Sequence, residues 1–197
     1  MTPQAESVLE LFRSTGAYLQ GHFRLTSGLH SAEYLQCALV LQHPAAAEKL
    51  GRLLARELER QVAEPIALAV SPAMGGLIIG HEAARALGVR HIFTERDSAS
   101  GKMVLRRGFT AAAGEAAVVI EDVITTGGST RDVIGVLRAA GARVLAAGSI
   151  IDRSGGHADV GVPRLALATL QVAAHYPEDC PLCKLGIPVV KPGSRPA

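Results

Sequence analysis

Apolar positions along the chain repeat with two different periods. After His43-Pro44, residues Leu50, Leu53, Leu54, Leu58 and Val62 recur at helical spacing, with Arg52, Arg56 and Glu59 outside. Further on, short continuous apolar runs alternate with helical stretches. The pattern predicts strands at 66–70, 91–94, 116–120 and 144–151, and helices at 75–87 and 129–140. Val133, Ile134 and Leu137 form the buried stripe of the last helix. Apolar strands separated by helices predict an α/β fold, with a parallel sheet covered on both faces. Before this core, residues 5–15 read as a helix carrying Val8, Leu9 and Phe12 on one side. Residues 18–36 read as strand-like pieces broken by Gly21, Ser27-Gly28 and Ser31. Residues 155–197 are richer in Pro and Gly and read as a strand and loops returning to the N-terminal part. No internal repeat or low-complexity tract interrupts the series.

Composition narrows the class. At 197 residues, 48% hydrophobic and 19% charged, the chain can bury a core of its own. A net charge of +2 is too small to imply nucleic acid or a membrane surface as the main partner. No apolar run has the length of a membrane span, and MTPQAESVLELF lacks the plan of a secretory signal, so a cytoplasmic location is expected. The three cysteines, Cys37, Cys180 and Cys183, argue against a disulfide framework. Cys180-Pro-Leu-Cys183 is half of a zinc motif. With no second pair at finger spacing, it reads as a thiol-bearing turn rather than a metal site. Among the histidines, His30 is expected near a site and the others, His22 included, as structural or exposed.

The candidate chemistry centres on VVIEDVITTGGST, Val118 to Thr130. A buried-type strand should end at Glu121-Asp122, and ligands gather beyond the carboxyl ends of parallel strands. Thr125-Thr126-Gly127-Gly128-Ser129-Thr130 then leads into a helix. Glycine-permitted backbone N–H groups, hydroxyls and a helix N-terminus together make an anion cradle. The acids can accept hydrogen bonds from sugar hydroxyls or lie near a magnesium ion. A ribose phosphate would satisfy both ends. The bland reading is a helix capped by Ser129 or Thr130 with solvated acids before it. Neither a Walker loop nor a dinucleotide fingerprint is present.

This string closely resembles the phosphoribosyl pyrophosphate (PRPP) signature of type I phosphoribosyltransferases. The resemblance implies that Glu121, Asp122, Val123, Ile124, Thr125, Thr126, Gly127, Gly128 and Ser129 bind PRPP. It also implies a Mg²⁺ cofactor held mainly by PRPP near Glu121 and Asp122, with no direct protein ligand. His22-Phe23-Arg24-Leu25-Thr26-Ser27-Gly28-Leu29-His30-Ser31 resembles the N-terminal hood segment of orotate phosphoribosyltransferases. Ser71-Pro72-Ala73-Met74-Gly75-Gly76 resembles their pyrophosphate loop, placing Ala73, Met74 and Gly75 against PRPP. Ile150-Ile151-Asp152-Arg153 ends where that family has an orotate-binding arginine, and CPLCKLGIPVVKPGSR resembles the tail of one bacterial branch. The implied architecture is the type I phosphoribosyltransferase fold with a small hood subdomain. It divides into 1–62 (hood segment and helix), 63–153 (PRPP-binding α/β core) and 154–197 (a segment packing back on the hood).

The chemistry of orotate is consistent with Arg153, because an arginine fork binds a carboxylate through two parallel bonds; by position alone Arg153 could equally be a surface residue. Thr125 is expected beneath the base. The chain departs from the family at Thr26 and at Gly75 or Gly76, where lysine is common. Glu95 to Lys102 is polar and small. It reads either as a solvated hairpin tip or, by resemblance, as a lid shared across a homodimer, with Arg96 and Lys102 as catalytic cations and Asp122 stabilising positive charge on the ribose. The expected reaction moves ribose 5-phosphate from PRPP to orotate. The rivals are the same fold acting on a purine or uracil, and a PRPP-sensing regulator without catalysis.

Overall fold

The computed structural model describes residues 2–25 and 27–192; Thr26, one of the departures noted above, lies outside them. The chain opens with α1 (Pro3–Ser14), where Pro3 stands in the first turn and the Thr2 hydroxyl accepts from the Ala5 N–H at 3.2 Å. Two antiparallel strands follow, β1 (Tyr18–Arg24) and β2 (His30–Leu35), forming a separate small sheet, the hood. A short helix that the periodicity did not predict, α2 (Cys37–Leu41), leads into α3 (Pro44–Gln61). Then come β3 (Leu68–Pro72), α4 (Gly76–Leu87), β4 (Arg90–Arg96), β5 (Met103–Leu105), β6 (Ala116–Ile124), α5 (Gly128–Ala139), β7 (Arg143–Asp152), β8 (Arg164–Thr169) and α6 (Pro181–Lys184).

Among the described residues the main sheet has the order β5-β4-β3-β6-β7-β8. All neighbouring pairs are parallel except β4 with β5. Side-chain alternation divides the core between the two faces. On one face Ala69, Val118, Ile120, Ala146 and Ile150 meet apolar residues of α1, α3 and α4, among them Phe12, Leu50, Leu54 and Ile79. On the other, Leu68, Val70, Ala117, Val119 and Ala147 meet Val133, Ile134 and Leu137 of α5. Burial on both faces explains the continuous apolar runs that made these strands legible.

The largest revision to the expected elements lies in β6. The apolar run ends at Ile120, but the strand continues through both acids to Ile124. Glu121 pairs with Ser149, Val123 with Ile151 and Ile124 with Asp152. Ladder pairing overrides the polarity of the side chains, so the acids ride on sheet backbone rather than on a loop. After β8 the chain returns to the hood. Val190 N–H donates to His22 O at 2.8 Å, and His30 and His175 exchange two backbone bonds at 2.8 Å. No helix among the described residues is long and apolar enough to cross a membrane.

Candidate active site

A cleft of about 990 Å³ opens between the hood and the carboxyl ends of the central strands. Its walls bring together Ala73, Gly75, Arg96, Glu121, Asp122 and Ser129 from the core with Arg24, Ser27 and Tyr34 from the hood. It adjoins a tighter pocket of about 280 Å³ that shares Leu25, Ser27, Tyr34 and Asp122 and adds Thr125, Thr126 and Arg153. The sequence-predicted residues of four separate segments thus converge on one region.

The anion cradle is open. Gly127 caps α5 with φ 75°, and among the described residues no side-chain cap bonds to the free N–H groups of the first turn. The expected alternative, a cap from Ser129 or Thr130, is therefore absent. Thr130 is buried, whereas Thr125 and Thr126 are exposed. Arg131 braces the turn from behind, donating to Thr126 O at 2.9 Å and to Asp159 O at 2.6 Å. Arg96, Glu121, Thr125 to Thr130 and Asp132 surround the depression above it. Glycine at 127 is required by the local fold itself. A Cβ there would lie 2.7 Å from Val160 Cγ1, so the residue is set by its left-handed backbone and by packing on the following loop. Ile124 is buried in the sheet, and its carbonyl accepts from Arg153 N–H.

Glu121 is buried and Asp122 half-buried. Burial, and then the charge of Asp122, push the Glu121 carboxyl well above the usual range. Burial likewise raises Asp122, although the Val123 N–H donates to its Oδ1 at 2.8 Å. Two adjacent acids that resist ionising together are poised to accept from hydroxyls or to meet a cation. Their hard oxygen donors fit Mg²⁺. Gly75 is held tightly against them, since a Cβ there would lie 2.7 Å from Asp122 Oδ1. One at Gly76 would lie 2.9 Å from Ile120 O. A side chain at Gly76 would press on the backbone of β6, and one at Gly75 would have to displace the Asp122 carboxylate. The Ala73 N–H is already committed to Thr94 O at 2.8 Å, so backbone donors to a diphosphate must come from the residues after it. Met74 is 81% exposed.

Arg153 differs from every other arginine of the site. Its Nε is buried without a hydrogen-bond partner among the described residues. Burial lowers its pKa, while Tyr34, Cys37 and Glu33 oppose the shift. Next to it Asp152 is fully committed: it accepts from Ser154 N–H at 2.7 Å, Ser154 Oγ at 2.6 Å and Arg164 Nη1 at 2.6 Å. Burial opposes its ionisation, but these donors prevail and hold its carboxyl below the usual range. This brace, and the placement of Tyr34, were missed by sequence reasoning.

The 95–102 segment is shorter than expected and closed on itself. β4 runs to Arg96 and β5 starts at Met103, so only Asp97 to Lys102 form the tip. Asp97 Oδ1 accepts from Ser100 N–H and Oγ at 2.8 Å, and Arg106 pairs with Asp97. In this conformation the segment is a hairpin tip. Arg96 reaches the cleft and contacts Asp132 at 3.3 Å. Lys102 does not. It lines a different depression with Arg131, Asp132 and Gly135. His30 is buried in the hood against His22, paired across the ladder with the cleft-lining Arg24.

Comparison with known proteins gives the same answer as the geometry. Residues 38–161 match the phosphoribosyl transferase domain family. The orotate phosphoribosyltransferase of Pelotomaculum thermopropionicum is 54% identical over 191 residues, covering 96% of this chain and 97% of the relative. That of Heliobacterium modesticaldum is 54% identical over 190 residues, covering 96% and 98%. The crystal structure of orotate phosphoribosyltransferase from Aeropyrum pernix superposes with a TM-score of 0.67 at 27% identity, over 91% of this chain and 98% of that one. With the cradle, the paired acids and the buried arginine in one region, the chain belongs to the phosphoribosyltransferase family, and within it to the orotate phosphoribosyltransferases.

Proposed function

We propose that this protein transfers ribose 5-phosphate from PRPP to N1 of orotate, releasing pyrophosphate and forming orotidine 5'-monophosphate. The observation that carries the choice of acceptor is Arg153. A guanidinium whose buried Nε has no partner among the described residues faces a pocket of about 280 Å³, and an anionic planar ring would pair with it. A neutral purine or uracil would offer it no negative charge to pair with.

The roles follow from position. The N-terminal turn of α5 with Thr126 and Ser129 takes the 5-phosphate. Glu121 and Asp122 accept from the ribose 2- and 3-hydroxyls. Backbone N–H groups of Met74 to Gly76 face the diphosphate, and Thr125 bonds to the base. As C1 gains oxocarbenium character, Asp122 stabilises the sugar. Orotate is already anionic, so no strong protein base is needed. Mg²⁺ carried by the diphosphate supplies positive charge against the leaving group, near Glu121 and Asp122. Arg96 adds a cation from the same chain.

Lys102 lies outside the cleft of its own chain, so it acts either after the 97–102 tip moves or in the neighbouring site of a homodimer. We favour the homodimer, working in the cytoplasm. The test is incubation with orotate, PRPP and Mg²⁺, following loss of orotate absorbance, beside parallel reactions with uracil and adenine. Turnover of uracil or adenine but not orotate would overturn the proposal.

A further inference from the structure

Where the C-terminal segment meets the hood, four ligand-bearing side chains come together. His22 Nε2 lies 2.9 Å from His30 Nδ1, 3.4 Å from Cys180 Sγ and 3.7 Å from Cys183 Sγ, and His30 Nδ1 lies 3.2 Å from Cys183 Sγ. All four atoms fall within 4.8 Å of one another. We propose that His22, His30, Cys180 and Cys183 hold a structural zinc ion that fastens the C-terminal segment to the hood.

The three nitrogen–sulfur distances, 3.2, 3.4 and 3.7 Å, are close to those of a tetrahedral shell. Zinc with Zn–S of about 2.3 Å and Zn–N of about 2.0 Å separates sulfur from nitrogen by about 3.5 Å. Two thiols and two imidazoles are soft and borderline donors that select zinc over Mg²⁺. Four protein ligands close the shell, which marks a structural site rather than a catalytic one. The tautomer is set from outside: His22 Nδ1 donates to Ile187 O at 2.7 Å, leaving Nε2 as a lone pair aimed at the cluster. His22, His30 and Cys180 are buried, and Cys183 lies nearer the surface.

The backbone presents the four ligands without further adjustment. Cys180 and Cys183 stand one helical turn apart, with Lys184 N–H donating to Cys180 O at 3.2 Å. The two histidines come from the paired strands of the hood. The CxxC pair thus finds its partners some 150 residues upstream, not at finger spacing, and the expected bare thiol turn is revised. Arg24, two residues past His22, and Ser27 and Gly28, just before His30, line the cleft. The ion would therefore brace the same part of the hood that borders the cleft, since Arg24 pairs across the ladder with His30.

The test uses the untagged full-length chain, purified without chelator from zinc-supplemented medium. Elemental analysis should give about one zinc per chain, and Cys183→Ser should reduce it to background. Excess chelator should lower the Tm of the wild type and leave that of Cys183→Ser unchanged. If the variant is insoluble, cobalt(II) added to chelator-treated wild type decides. Intense visible bands with thiolate-to-cobalt charge transfer support a tetrahedral thiolate site, and a pale octahedral spectrum overturns it. Substoichiometric zinc in the wild type, zinc retained by Cys183→Ser, or a Cys180–Cys183 disulfide by mass would each overturn the proposal. None of these readouts depends on turnover, so they stand apart from the assignment of the reaction.

Discussion

The backbone N–H of Arg153 donates to the carbonyl of Ile124 at 2.8 Å, tying the end of β7 to the end of the strand that carries Glu121 and Asp122. Arg153→Ala should therefore remove one contact without moving the acids. The expected result is a rise in the orotate KM of roughly 100-fold, with the PRPP KM within about threefold of wild type. Arg153→Lys should recover little, because a point charge does not reproduce the fork. Steady-state kinetics with each substrate varied decides it, and an unchanged orotate KM would remove Arg153 from the site.

Lys102→Ala should lower kcat by about 100-fold and leave PRPP affinity nearly intact. If the residue serves a neighbouring subunit, mixing Lys102→Ala chains with Arg153→Ala chains should restore activity in the hybrid dimers. Wild-type turnover by Lys102→Ala alone would exclude the residue.

Glu121→Gln separates stability from binding. The folded protein raises the pKa of this carboxyl, so the stability linked to it is complete below the unfolded value and is lost as pH rises through the folded one. At neutral pH the variant should melt higher, by about 2–4 °C for each kcal/mol of relieved repulsion. It should also bind PRPP about tenfold more weakly. A lower Tm at pH 7.5 with unchanged PRPP affinity would contradict both halves.

His91 acts in the opposite direction. Burial, followed by His81, pushes it down to about 4 from an ordinary 6.5, while its Nε2 lies 2.7 Å from Ser71 Oγ. The unfolded chain takes up the proton first, so stability falls as pH drops from 6.5 towards 4. The full shift is worth about 3 kcal/mol, trimmed to about 2 kcal/mol by the partial exposure of the ring. Denaturant titrations at pH 7 and pH 5 should show about half of this loss, roughly 1 kcal/mol, in the wild type and little of it in His91→Gln.

Arg164→Ala should be more damaging than any surface change. It leaves Asp152, 1% exposed, without its cation, at a cost of about 3–5 kcal/mol. Urea midpoints measure it, and a loss below about 1 kcal/mol would mean that the Ser154 bonds suffice.

The core strands and the cradle were legible because their causes are local. Continuous apolar runs such as Val118 to Ile120 follow from burial on two faces, and TTGGST before a helix follows from backbone freedom. What escaped was set by distant parts of the chain. β6 runs on to Ile124 because β7 offers partners to Glu121 and Val123, which polarity along one strand does not reveal. Asp152 reaches Arg164 across a loop. His22 meets Cys180 only because Val190 and His175 stitch the tail to the hood. Lys102 was assigned by likeness of sequence, and nothing within the segment records which way its tip faces.

The continuation of β6 past Ile120 has one more consequence. Neighbouring strands stand about 4.8 Å apart, so the sheet itself fixes the spacing between the carboxyls at the end of one strand and the guanidinium just beyond the end of the next. The backbone positions of the two halves of the proposed chemistry are set by a rigid sheet rather than by flexible loops. A change of acceptor could thus be written at the tip of β7 alone, leaving recognition of the sugar untouched.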